Sequence, residues 1–197
     1  MAERFESICV FCGSSAGARP EYSEAAGRLG RLLAARGIRL VYGGSHLGLM
    51  GVLADSALGA GGSVTGVMPR LLVEKEAAYI GLPDLRVVAS MHERKALMAE
   101  LAGGFIALPG AFGTLEEFFE VLTWSQLGVH AKPCGLLNVA GFFDPLLAML
   151  DHAVAERFLK AANRDLVIDD SDAGRLLERM AKFRSPVTSK WIGREAV

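Results

Sequence analysis

Three glycine-bearing turns and two short charged segments are the parts of this sequence whose residue types could do chemistry. The turns are Cys12-Gly13-Ser14-Ser15, Gly43-Gly44-Ser45-His46-Leu47-Gly48-Leu49-Met50-Gly51 and Pro109-Gly110-Ala111-Phe112-Gly113-Thr114. Glycine lets backbone N–H groups approach an anion closely, and a following helix adds unpaired donors and the positive end of its dipole. A phosphate is the natural guest. The alternative is that the glycines serve tight turns and close helix–strand packing, which would suffice for one turn but explains three in register less well. None is a P-loop, because no Gly-Lys-Ser/Thr follows, and the first turn lacks a clean G-x-G-x-x-G. A P-loop ATPase and a standard NAD enzyme are therefore disfavoured.

The third turn runs into Thr114-Leu115-Glu116-Glu117. Thr114 to Glu117 has the S/T-x-x-E spacing of a capping box, in which the Glu folds back onto the helix end. A carboxylate folded back that way points toward the phosphate-binding mouth, so Glu117 can be both cap and catalyst, with Glu116 or Glu120 beside it. Met91-His92-Glu93-Arg94-Lys95 opens another helix. Arg94 and Lys95 would by default be solvated charges. An Arg near a helix start opposes the dipole, however, and makes more sense beside an anion, which its planar guanidinium grips at two points.

Other chemistries find little support. His46, His92, His130 and His152 are scattered, so no metal is expected. Cys9 and Cys12 have C-x-x-C spacing but fall on a strand, where positions i and i+3 face opposite ways, so both are expected to pack. No lysine has a Schiff-base context, and neither pyridoxal phosphate nor any other cofactor is expected.

The elements that must position these residues follow from periodicity. Ile8 to Phe11, Arg39 to Tyr42, Val64 to Met68, Leu85 to Val88, Phe105 to Leu108, Cys134 to Val139 and Leu166 to Ile168 read as strands. Glu21 to Arg36, Leu49 to Ala60, His92 to Leu101, Leu115 to Leu127, Phe143 to Arg157 and Asp172 to Phe183 read as amphipathic helices. Such alternation implies parallel strands with right-handed crossovers. The expected fold is α/β, a doubly wound, Rossmann-like parallel sheet flanked by helices. Ligands of such sheets bind outside the carboxyl ends of the strands, so all three turns face one crevice. Pro69 to Pro83, with Arg70, Glu74, Lys75 and Glu76, is the least regular interior stretch, a lid or a solvated excursion.

Size and charge set the outer bounds. The 197 residues suit one domain, taken as residues 1–184, with 185–197 as a surface tail. Hydrophobic residues at 51% and charged residues at 22% supply a core. Twenty-one Lys+Arg against 22 Asp+Glu give a net charge of -1, which argues against broad electrostatic capture of nucleic acid or anionic membrane. Three cysteines without framework spacing fit a reducing cytoplasm. Met1 to Ser7 lacks the features of a secretory signal, and no apolar run reaches the length of a bilayer span.

The motifs together resemble those of the LOG ("lonely guy") family of phosphoribohydrolases, often labelled lysine decarboxylase-like. The family's P-G-G-x-G-T-x-x-E is matched by Pro109 to Glu117, its M-H-x-R-K by Met91 to Lys95, and its G-G-G-x-x-G-L-M-G by Gly43 to Gly51. The resemblance runs from about Ser7 to Asp169 and includes Glu120 to Gly128. It implies hydrolysis of the N-glycosidic bond of cytokinin riboside 5'-monophosphates, N6-modified forms of AMP, and by some relatives of AMP itself. By position, Arg94 and Glu117 correspond to the catalytic pair. Glu76, Lys95, Thr123 and the loop Ala111, Phe112, Gly113, Thr114, Leu115, Glu116 and Glu117 correspond to nucleotide-binding positions. Gly110, Gly44 and Ser45 join them as turn residues. A homodimer with the site near the subunit interface is also implied.

Ala111 and Ser45 replace glycines of the family pattern. Ala111 would cost energy if its backbone were left-handed, and Ser45 would offer an extra hydroxyl donor. Two rival readings are a non-catalytic nucleotide-binding or sensing module on the same fold and a decarboxylase. A pure binder has little use for a carboxylate beside a phosphate.

Overall fold

Short runs rich in Val, Ile, Leu and Phe form strands here because helices cover both faces of the sheet they build. The computed structural model describes residues 5–74 and 78–186. In chain order the elements are β1 (Ser7–Phe11), α1 (Pro20–Ala35), β2 (Arg39–Tyr42), α2 (Gly48–Gly59), β3 (Val64–Pro69), α3 (Arg70–Glu74), β4 (Asp84–Val88), α4 (Met91–Leu101), β5 (Phe105–Ala107) and α5 (Phe112–Gln126). There follow β6 (Cys134–Leu137), a 3₁₀ turn (Val139–Gly141), α6 (Asp144–Ala155), α7 (Ala161–Arg164), β7 (Val167–Asp170) and α8 (Ala173–Lys182).

The seven strands form one sheet of order β4-β3-β2-β1-β5-β6-β7, and every pairing is parallel. The chain winds outward from β1 through β4, then returns to lay β5 against the other side of β1. That reversal makes the carboxyl ends of β1 and β5 the switch point, where open α/β sheets leave a crevice.

Alternation along each strand separates two cores. Ile8, Val10, Leu40, Tyr42 and Ile106 face α1, α2 and α8, whereas Cys9, Phe11, Val41 and Phe105 face α4, α5 and α6. Cys9 and Cys12 thus lie on opposite faces, buried and unbonded, as the strand period requires.

Most predicted elements stand within one to three residues of their observed ends, and the departures have local causes. β6 stops at Leu137 instead of Val139 because the Asn138 side chain turns the chain, accepting from Phe143 N at 2.8 Å and donating to Asp144 Oδ1 at 2.7 Å. The irregular stretch after Pro69 begins with the short α3, and α7 was not foreseen; at five and four residues neither can show a helical period. Lys75, Glu76 and the tail from 187 onward, Lys190 included, lie outside the described residues. Among the described residues no helix is long and apolar enough to cross a membrane.

Leu53, fully buried on the inner side of α2, tests the first core. Leu53→Ala is expected to cost about 2–5 kcal/mol in urea unfolding, while Leu71→Ala, at a position 62% exposed, should stay within about 0.5 kcal/mol of wild type.

Candidate active site

The three glycine turns touch one another before they touch any ligand. Gly13 N donates to Pro109 O at 3.0 Å, and Leu49 N donates to Gly13 O at 3.1 Å, so the turn after β1 is stitched to the turns after β5 and β2. Gly48 has φ +53° and lies against the Ser14 backbone so closely that a methyl group there would overlap it. Gly110 is likewise packed against Thr114 Oγ1. Part of the glycine excess therefore serves packing, as the simpler expectation held.

The stitched turns leave a cavity of about 360 Å³ at the switch point, within the range of small-molecule sites. One wall is the start of α5. Ala111 is its N-cap, and the first amide with a helical partner is that of Leu115, which donates to Ala111 O at 3.1 Å. The amides of Phe112, Gly113 and Thr114 precede it, in the end turn where helices leave donors unpaired. Helix dipole and open N–H groups coincide there, which is the physical requirement for holding a phosphate. Gly113 and Thr114 line the cavity together with Ser14 and Ser15 from the first turn.

One conditional expectation about this wall is decided and one is corrected. Ala111 has φ −106° and ψ −147°, so its φ is negative and its methyl carries no left-handed strain. The Thr114–Glu117 capping box does not form, because α5 begins at Phe112, which places Thr114 within the first turn, buried, with no side-chain cap on the helix. The S-x-x-E box of this site lies instead at Ser90–Glu93. Glu93 N donates to Ser90 Oγ at 3.1 Å, and Ala89 N donates to Glu93 Oε2 at 2.8 Å, fixing the start of α4.

Released from capping, Glu117 faces α4. Its Oε1 lies 3.3 Å from Arg94 Nη1, with each side chain only about a tenth exposed (11% and 10%). Arg94 is held from behind, its Nε donating to Val67 O at 3.1 Å and its Nη1 near Met91 Sδ at 3.8 Å. Gly43 provides the guanidinium's seat: a methyl there would overlap Arg94 Nη2. Burial pushes the Glu117 carboxyl above its ordinary value, and the Arg94 charge opposes that rise. A desolvated carboxylate facing a guanidinium can stabilise a developing cation or accept a proton from water.

Six of the sequence-predicted residues line this cavity: Arg94, Gly110, Ala111, Gly113, Thr114 and Glu117. Others do not. Lys95 Nζ pairs with Glu116 at 2.5 Å and Glu120 at 3.0 Å in a cluster outside the lining. Phe112 is 91% exposed, Leu115 packs against the second core, and Thr123 donates to Phe119 O at 2.7 Å on the outer face of α5. Gly44, with φ +75°, accepts from Tyr79 N at 2.8 Å, so it shapes its own turn. The Ser45 hydroxyl, expected to face the ligand, is buried and accepts from Leu47 N at 3.1 Å. Glu76 lies outside the described residues; Ala78, which follows that stretch, is bridged to Ser45.

Cys12, Ser14, Ser15 and Met50, expected only as members of the first two turns, and Tyr22 and Phe142, outside any of the motifs, also line the cavity. The first turn was a visible signal for Ser14 and Ser15. Nothing local announces Tyr22 and Phe142, which only the fold brings together.

Comparison with known proteins adds to this geometry. Residues 50–180 match the family described as "Possible lysine decarboxylase". A probable cytokinin riboside 5'-monophosphate phosphoribohydrolase of Oryza sativa subsp. japonica is 49% identical over 91% of this chain and 81% of its own. The chain belongs to this family, the LOG family that its motifs resemble. The cytokinin riboside 5'-monophosphate phosphoribohydrolase of Rhodococcoides fascians is 50% identical over 92% of this chain and 90% of its own, and one from Arabidopsis thaliana is 45% identical over 96% and 88%. The fold is also that of the molybdenum cofactor binding protein of Rippkaea orientalis, with TM-score 0.68 and 23% identity over 91% of this chain and 97% of that one. The Chlamydomonas reinhardtii molybdenum cofactor carrier protein shares it too, with TM-score 0.67 and 20% identity over 91% and 100%.

Gly43→Ala should displace the Arg94 guanidinium without disturbing the fold, because the overlapped atom ends a long side chain. A crystal structure of the variant is expected to show Nη1 and Oε1 more than about 4 Å apart, with a thermal midpoint within about 4 °C of wild type.

Proposed function

We propose that this protein hydrolyses the N-glycosidic bond of cytokinin riboside 5'-monophosphates, N6-modified AMP, and also of AMP, releasing free base and ribose 5-phosphate. The observation that carries the proposal is the Arg94–Glu117 pair at 3.3 Å, set in the wall of a cavity whose other wall is the open end of α5. The names of the relatives from Oryza, Rhodococcoides and Arabidopsis support the same chemistry.

The 5'-phosphate sits against Gly110, Gly113 and Thr114, held by backbone donors and the dipole of α5. The bond from C1' to the base nitrogen then breaks with its electrons leaving on the base, and C1' takes on oxocarbenium character. Glu117 stabilises that cation or takes a proton from the water that adds to C1', as carboxylates do in glycoside cleavage. Arg94 orients the nucleotide and offsets negative charge on the phosphate or departing base. The departing nitrogen takes up a proton, and the water supplies the new hydroxyl. No cofactor enters these steps.

A non-catalytic nucleotide sensor fits the cavity less well, since a buried carboxylate beside a phosphate weakens binding. A homodimer accounts for Lys95, Glu116 and Thr123. They lie off their own protomer's cavity, on α4 and α5, where a second copy would bring them to a shared site. A cytoplasmic setting suits a nucleotide substrate.

The direct assay follows free base and ribose 5-phosphate from isopentenyl-AMP and from AMP without added cofactor. Wild type is expected to release both products, and Glu117→Gln to lose at least about 100-fold in kcat. No release by wild type, or full activity in Glu117→Gln, would overturn the proposal. Because Glu117 acts ionised and burial raises its pKa, kcat/KM should fall as pH is lowered through a value above the ordinary 4.5. That limb should disappear from the residual activity of Glu117→Gln. Sedimentation should give twice the chain mass of 21.0 kDa.

A further inference from the structure

We propose that Phe142, backed by Tyr22, determines substrate specificity by forming an aromatic corner that takes an apolar substituent on the nucleobase. The inference rests on the hydrolase reading of the same cavity. The charged and aromatic residues approach the cavity from different elements. Arg94 and Glu117 come from α4 and α5. Tyr22 comes from α1 and packs against the first core, and Phe142 comes from the turn after β6. All four line the one cavity.

The corner is rigid. Tyr22 and Phe142 meet edge to face with ring centroids 5.8 Å apart and planes at 79°. Phe142 also meets the buried Phe143 at 5.0 Å and 88°. The backbone delivering Phe142 passes through Ala140 at φ +52° and Gly141 at φ +72°. A left-handed alanine is strained and persists only where its surroundings over-determine it. The clasp of Asn138 on Phe143 N and Asp144 Oδ1 does so here. A ring fixed this firmly is nevertheless 38% exposed, with one side turned to the space a ligand would enter.

With the phosphate at α5 and C1' at Glu117, the base and its substituent need the remaining wall. The Tyr22 side of that wall is completed by Ser14, Ser15, Ala16 and Gly17, with no charged side chain. An alkenyl group placed against the two rings would bury apolar area that an unsubstituted amino group lacks. The corner therefore favours an N6-alkenyl AMP over AMP.

The test compares kcat/KM for isopentenyl-AMP and AMP in wild type, Phe142→Ala and Phe142→Leu, with thermal midpoints to check folding. Phe142→Ala is expected to lower the preference for isopentenyl-AMP by roughly tenfold or more, chiefly by raising KM for isopentenyl-AMP. Phe142→Leu keeps apolar bulk and should lower the preference by about threefold, carrying the test if the alanine variant fails to fold. Base release from both substrates with an unmoved ratio, or an equal loss on both, overturns the inference and leaves the hydrolase reading standing. No release from either substrate by wild type overturns both.

Discussion

A carboxylate and a guanidinium must stay charged and adjacent at the edge of an apolar sheet, and the site depends on that constraint. Taking both groups out of water costs several kcal/mol each unless geometry and further hydrogen bonds compensate. Here the Val67 carbonyl accepts from Arg94 Nε, the bare backbone of Gly43 makes room for Nη2, and Glu117 supplies the countercharge at 3.3 Å. β2, β3, α4 and α5 each contribute one part of that arrangement. The same burial that makes the pair costly raises the Glu117 pKa and excludes the water that would otherwise screen it.

The sheet topology explains why the pair lies where a phosphate can be held. β1 is flanked by β2 and β5, so the turns after these three strands are neighbours in space though the third is nearly a hundred residues from the first. Hydrogen bonds from Gly13 to Pro109 and from Leu49 to Gly13 make one rigid floor of them. A phosphate needs only local dipoles and a few charges there. The chain's net charge of -1 is consequently no obstacle to binding an anion.

Much of this was legible in the sequence, because the strand and helix periods are long-lived signals and the glycine turns mark strand ends. Arg94 and Glu117 were recognisable from their motifs. Other features depend on contacts the sequence does not display. Thr114–Glu117 has the spacing of a capping box, but the helix starts at Phe112, three residues before the expected Leu115, so the local pattern lost to the geometry of the turn. Ser45 looked like a ligand donor and is a turn brace. Ala111 would have been a costly departure from glycine only with a left-handed backbone, and its φ is negative. Tyr22 and Phe142 lie 120 positions apart in the sequence and meet only through the α1 contact with the turn after β6.

The most direct test of the central claim, that the open end of α5 holds the phosphate and presents C1' to Glu117, is a crystal structure of Glu117→Gln with AMP bound. Phosphate oxygens should lie within hydrogen-bond distance of the Gly113 and Thr114 amides, with C1' beside residue 117 and Arg94 in contact with the nucleotide. A phosphate bound elsewhere, or a ribose directed away from residue 117, would contradict it.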